Sequence, residues 1–160
     1  MKKLFMSVAA MFMAFAGFAQ TGQWSVGLNF GYGTEVEKCF LGGTVMYGIT
    51  DDFDIAGSFN RYFKESFGGV DLKYWDLNAD VHWNVLKGEQ YKLYPLIGLT
   101  YLNGKFSGGD YSDSEGWFGA NIGIGGSYDL AENFTAGVEL KAQIMENTQF
   151  VPMLKLMYKF

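Results

Sequence analysis

Cysteine is almost missing: Cys39 is the only one in 160 residues, so no internal disulfide can form. It lies far from the small residues that close the amino-terminal apolar stretch, which leaves no cysteine there for a lipid anchor. Proline is scarce too, with only Pro95 and Pro152, so nearly every backbone N–H is free to join a ladder. Cations are fewer than carboxylates, 12 against 17, which argues against nucleic acid as a partner because such surfaces are basic. Past residue 19 no run is apolar for the roughly 20 residues that a membrane-crossing helix needs. A disulfide scaffold, a nucleic-acid binder and a helical membrane protein are thereby disfavoured.

The amino terminus has the layout of a secretory signal. Lys2 and Lys3 precede an apolar run from Leu4 to Phe15, and Gly17-Phe18-Ala19 supplies small residues for cleavage. Cleavage is expected after Ala19, with Ala16 as an alternative, leaving residues 20–160 as one domain. Without Lys2 and Lys3, ten cations face 17 carboxylates, a net charge of −7.

What the chain does have is glycine and aromatic rings: 22 Gly, 15 Phe, 10 Tyr and 4 Trp, with charged residues at only 18%. They fall into strands of period two, broken by turn residues. The spacing predicts eight: Trp24 to Thr34, about Phe40 to Ile49, Phe53 to Asn60, Trp75 to Val85, Leu93 to Leu102, Trp117 to Tyr128, Phe134 to Ile144, and Phe150 to Phe160. The fifth is apolar on both faces, so its register is ambiguous. Links after strands two, four and six are short, whereas Tyr62–Lys73 and Asn103–Glu115 read as longer loops.

Two barrels have this pattern, a soluble one of the lipocalin kind and one set in a membrane. They differ in which row faces inward. One row is almost wholly apolar and large; the other is Gly, Ser and Asn with Asp54, Asp80, Glu139, Lys141 and Lys155. Eight strands enclose a space just wide enough for side chains to fill, which suits the small, polar row. Aromatics on the apolar row gather at both strand ends, as rings do at the two faces of a bilayer. The fold expected is therefore all-β: an eight-stranded antiparallel up-and-down transmembrane β-barrel in the outer membrane, with both termini periplasmic.

The last strand alternates apolar residues and ends on Phe160, as the carboxy-terminal signal of outer-membrane barrels does. With the signal peptide and eight strands, residues 20–160 resemble the small OmpX/OmpA-type porin-family barrels. That resemblance implies that Phe160 is part of an assembly signal read by the barrel-assembly machinery during insertion.

For chemistry the sequence offers little. His82, the single histidine, stands two residues from Asp80 on the inward row; a lipid-modifying enzyme would need a serine beside it, and none is evident at that depth. No enzyme activity, cofactor or metal is expected. The stretch Gly108 to Glu115 has alternating oxygen ligands but lacks the ordered spacing of a calcium loop. Asp54, Asp80, His82, Glu139, Lys141 and Lys155 are expected to form a polar network that fills the lumen, with Trp117 at the outer mouth and Tyr94 low down. Arg61 and Lys73, on the outward row at the two ends of the Tyr62–Lys73 loop, are expected to meet lipid phosphates, lipopolysaccharide included. The function expected is structural or interactive, through the extracellular loops, whose partner the residues do not name. A narrow pore for small solutes or apolar molecules is the alternative.

Overall fold

The computed structural model describes residues 22–67, 70–108 and 111–160. The expected signal peptide, residues 1–19, lies outside the described residues, as do Gly109 and Asp110 of the calcium-like stretch. Eight strands build the wall: β1 Trp24–Gly33, β2 Lys38–Gly48, β3 Phe53–Tyr62, β4 Val70–Trp83, β5 Tyr91–Gly108, β6 Tyr111–Asp129, β7 Phe134–Ile144 and β8 Gln149–Lys159. Each is antiparallel to the next. β1 closes the ring on β8, from Ser25↔Lys159 to Gly31↔Met153. Closure removes the sheet edge from the wall, the condition for crossing lipid with strands. Two short pieces are added: Glu65–Phe67 pairs with β4, and Leu86–Lys87 with β5.

Alternation sorts the two faces. On β3, Phe53, Ile55 and Phe59 point out while Asp54, Ala56, Ser58 and Asn60 are buried. The ambiguous fifth strand resolves the same way, with Ile97 65% exposed and Leu96 only 3%. The outward aromatics form two bands. At the end holding the termini, Trp24 meets Tyr47 and Phe53 stacks on Trp83, while Tyr158 touches both Phe134 and Phe160. Toward the other end Trp75 lies between Phe59 and Tyr101, at 5.8 and 5.7 Å between ring centroids.

The two long loops are a correction. Asn103–Gly108 and Tyr111–Gly116 continue the β5–β6 ladder, and Val70–Trp75 pairs alongside them. A ribbon thus rises on one side of the rim, six residues or about 20 Å beyond Leu102. Composition suggested a loop because Gly, Ser and Asp disfavour an isolated strand. Here the register is already set in the wall below, and each backbone group finds its partner in the next strand. Tyr74 and Phe106 pack edge to face across the ribbon at 6.2 Å. Opposite it, the β1–β2 turn is pinned to β8: the Thr34 amide donates to the Phe150 carbonyl, and the Phe150 amide to Thr34 Oγ1.

Candidate functional site: the lumen and the ribbon-end mouth

The inward rows of β4, β6, β7 and β8 meet inside the barrel. Glu139 on β7 is the centre of the lower part. It accepts hydrogen bonds at Oε1 from Lys155 Nζ and from the Tyr94 hydroxyl, the latter at 2.8 Å. His82 stacks on Tyr94 with centroids 4.5 Å apart, and its Nε2 lies 3.7 Å from the same carboxylate oxygen. Neither His82 Nε2 nor Glu139 Oε2 has a hydrogen-bond partner among the described residues. Asp54 sits apart, accepting from Asn84 Nδ2 at 2.8 Å. Glycine makes this crowding feasible: a Cβ on Gly125 would lie 2.5 Å from the Tyr94 ring, and one on Gly123 2.7 Å from Lys141 Cβ.

One level up, Lys141 Nζ donates to Asp80 Oδ2 at 2.8 Å, and Asn121 Nδ2 to Asp80 Oδ1 at 2.6 Å. Glu139, Lys141 and Lys155 therefore do not form one cluster. They divide into two pairs, and Lys141 reaches across the barrel to β4 for its partner.

Above that lies a further polar layer that sequence reading missed. Asp76 accepts from the Tyr62 hydroxyl, Asn60 and Asn78 at 2.7, 2.8 and 2.7 Å. Gln143 donates to Asn78 and Thr100, and Gln149 to Gln143 and Tyr62. Asp76 was visible in the row Asp76-Asn78-Asp80-His82-Asn84, which alternates without a break. Gln149 was hidden because the eighth strand was read as starting one residue later.

The layer ends in an apolar cap of Phe40, Tyr62, Leu102, Val151 and Met153, against which Val36, Tyr74, Trp117 and Met145 pack. The expectation of a wholly small or polar inward row is corrected here. Above the cap, between the ribbon and the β1–β2 turn, opens a cavity of about 520 Å³. By contrast, the space left low in the lumen beside His82, Tyr94 and Lys155 is about 40 Å³.

Among the described residues, no three His, Cys, Asp or Glu side chains are grouped so as to hold a metal. Among the described residues His82 faces a carboxylate and a phenol ring, and no serine hydroxyl hydrogen-bonds its Nε2.

On the outside of the wall, Arg61 stands opposite Trp75, and Lys73, two residues before Trp75 on β4, stands opposite Lys105 on β5. The three cations, Arg61, Lys73 and Lys105, are exposed. Lys105 was not anticipated, because it was placed in a loop. Phe160 is exposed at the terminal end; its amide donates to the Trp24 carbonyl at 3.0 Å. At the same end the Lys87 ammonium hydrogen-bonds the Asp52 carboxylate, which holds its pKa above the ordinary lysine value.

Solved structures share this architecture. The amino-terminal β-barrel domain of Pseudomonas aeruginosa OprF is 24% identical, covering 88% of this chain and 98% of that one, with a TM-score of 0.68. Yersinia pestis Ail is 21% identical over 88% of this chain and all of its own, with a TM-score of 0.60. For Escherichia coli outer membrane protein W the figures are 13% identity, 89% and 100% coverage, and 0.55. At these identities the likeness establishes the fold alone. Among curated proteins no significant match is found. The outer membrane protein β-barrel domain family matches residues 4–150, nearly the whole chain, and with the closed eight-stranded wall this makes the protein an integral outer-membrane β-barrel of that family.

Proposed function

We propose that the protein is a barrel without an open solute path, which works by presenting its ribbon end at the cell surface while both termini stay in the periplasm. The lumen contacts carry this reading. Side chains hydrogen-bond across the interior from Lys155–Glu139 through Asp80–Lys141 to Gln149–Tyr62, and the Phe40 cap lies over them. A space of about 40 Å³ admits isolated waters rather than a column. The pore reading needs a continuous path, and the lipid-modifying reading needs a nucleophile beside His82; neither has an observation in its favour.

On the wall, Arg61 and Lys73 stand where outer-leaflet phosphates would lie, and lipopolysaccharide is the lipid they suit. Lys73 opposite Lys105 is a like-charge pair that costs stability unless an anion lies between them. Phe160 is proposed as the part of the chain read by the barrel-assembly machinery. One structure of Ail is a complex with the heparin analogue sucrose octasulfate. A polyanion is disfavoured at the mouth here, where Glu35 and Glu37 line the opening.

Planar-bilayer recording of the purified protein tests the reading. No stable conductance is expected; large, reproducible steps would replace it with a porin.

A further inference from the structure

The lumen is filled at mid-height but opens at both ends: about 500 Å³ beside Ser25, Asp54, Lys92 and Lys159 at the end holding the termini, and about 520 Å³ above the apolar cap at the ribbon end. That volume lies within the range of small-molecule sites, roughly 300–1,000 Å³. Its floor is apolar and aromatic: Tyr74, Leu102, Trp117 and Met145. Its rim on the β1–β2 side carries Glu35 and Glu37, both exposed and neither with an ion-pair or hydrogen-bond partner among the described residues. The lining also contains a cation, Lys38, but that side chain is buried and already makes interactions of its own.

The rim is held in place. Glu37 has a φ of 54°, a left-handed backbone that residues other than glycine adopt at a cost and that clusters at functional sites. The turn is fixed from below, where the Val36 amide donates to Gln149 Oε1 and Thr34 is tied to Phe150. Alternation also separates the charges. Lys73 and Lys105 point away from the cavity on the outer wall, while Leu72, Tyr74 and Phe106 of the same strands line it. Two carboxylates over an aromatic floor match a ligand with an ammonium on an apolar body, because the rings attract a cation as well as an apolar group.

We propose that this cavity is a binding site for small amphipathic cations, with the apolar part against Trp117 and Tyr74 and the ammonium at Glu35 and Glu37. It rests on the reading that the ribbon end carries the interactions. Conductance tests the closed lumen separately, so the two fail independently.

The test uses the full barrel in nanodiscs of zwitterionic lipid, which do not themselves concentrate cations. The probes are tryptamine, its neutral analogue 3-ethylindole and the anion indole-3-propionate, read by the methyl resonance of 13C-labelled Met145. Tryptamine should saturate the shift with an affinity about fivefold or more above 3-ethylindole, and indole-3-propionate should bind weakest. The Glu35→Gln/Glu37→Gln variant keeps the shape of the turn and should reduce tryptamine to the level of the neutral probe. Trp117→Ala should weaken all three, with heat-modifiable gel mobility confirming that each variant is folded. Equal affinities for the three probes, a Met145 shift that never saturates, or full tryptamine affinity in the double Gln variant would each overturn the proposal.

Discussion

Replacing Glu139 by Ala should be the most damaging single change to the lumen that leaves the wall intact. The side chain is 3% exposed and its Oε1 serves both Lys155 and Tyr94. Its loss leaves an ammonium 8% exposed with no carboxylate, because Asp80 is already engaged by Lys141 and Asn121. Breaking a buried pair in this way costs about 3–5 kcal/mol. The Tyr94 hydroxyl also loses its acceptor, worth about 1–3 kcal/mol by itself but not fully additive, since both donors meet one oxygen. An overall loss of about 4 kcal/mol is expected. Adding Lys155→Met removes the stranded charge and should restore most of it. Reversible urea unfolding in phospholipid vesicles, followed by tryptophan fluorescence, gives both values from the midpoints. If Glu139→Ala costs about 1 kcal/mol or less, water screens the site and the lumen is a wet channel.

The remaining predictions concern the wall and its ends. Val138 is 56% exposed, facing Leu154 across the β7–β8 ladder, and Val138→Arg should destabilise by about 2–4 kcal/mol in the same vesicle assay. Loss of only a few tenths would mean that this face does not meet hydrocarbon. Deleting Phe160 should lower folded yield in cells while leaving refolding in detergent nearly unchanged; equal loss in both would assign Phe160 to packing against Tyr158 instead. An Arg61→Ala/Lys73→Ala variant should co-purify with less lipopolysaccharide than the parent, and unchanged lipid would leave the two cations without that role.

Strand number, facing and closure were readable because the wall separates two opposite environments, so every residue between Phe53 and Tyr62, for example, declares its side. The ribbon was not readable. Asn103–Gly108 and Tyr111–Glu115 owe their strands to ladders set lower in β4, β5 and β6, which composition does not record. Which carboxylate takes which lysine was equally hidden: Asp80 and Lys141 meet through the relative stagger of β4 and β7 around the ring, and alternation gives the face of a residue but not its height. Phe40, Val151 and Met153 escaped notice for a related reason. They are apolar residues on a mostly polar inward row that also holds Leu96 and Met157, and only their common height makes them a cap.

The seam between β1 and β8 sets how this barrel must be made. Lys141 finds Asp80 over a separation of 61 residues, and Gln149 finds Tyr62 over 87. Such distant contacts form late in folding, after the chain has met their entropic cost of closure. Until the first and last strands zip together, the inward lysines have no enclosed interior, and each one turned to hydrocarbon at mid-depth costs about 2–4 kcal/mol. A sheet of four or six strands lying in lipid is therefore a state to be avoided rather than a stopping point. Insertion and closure have to proceed as one event, with the charged rows kept facing each other while the barrel enters the membrane.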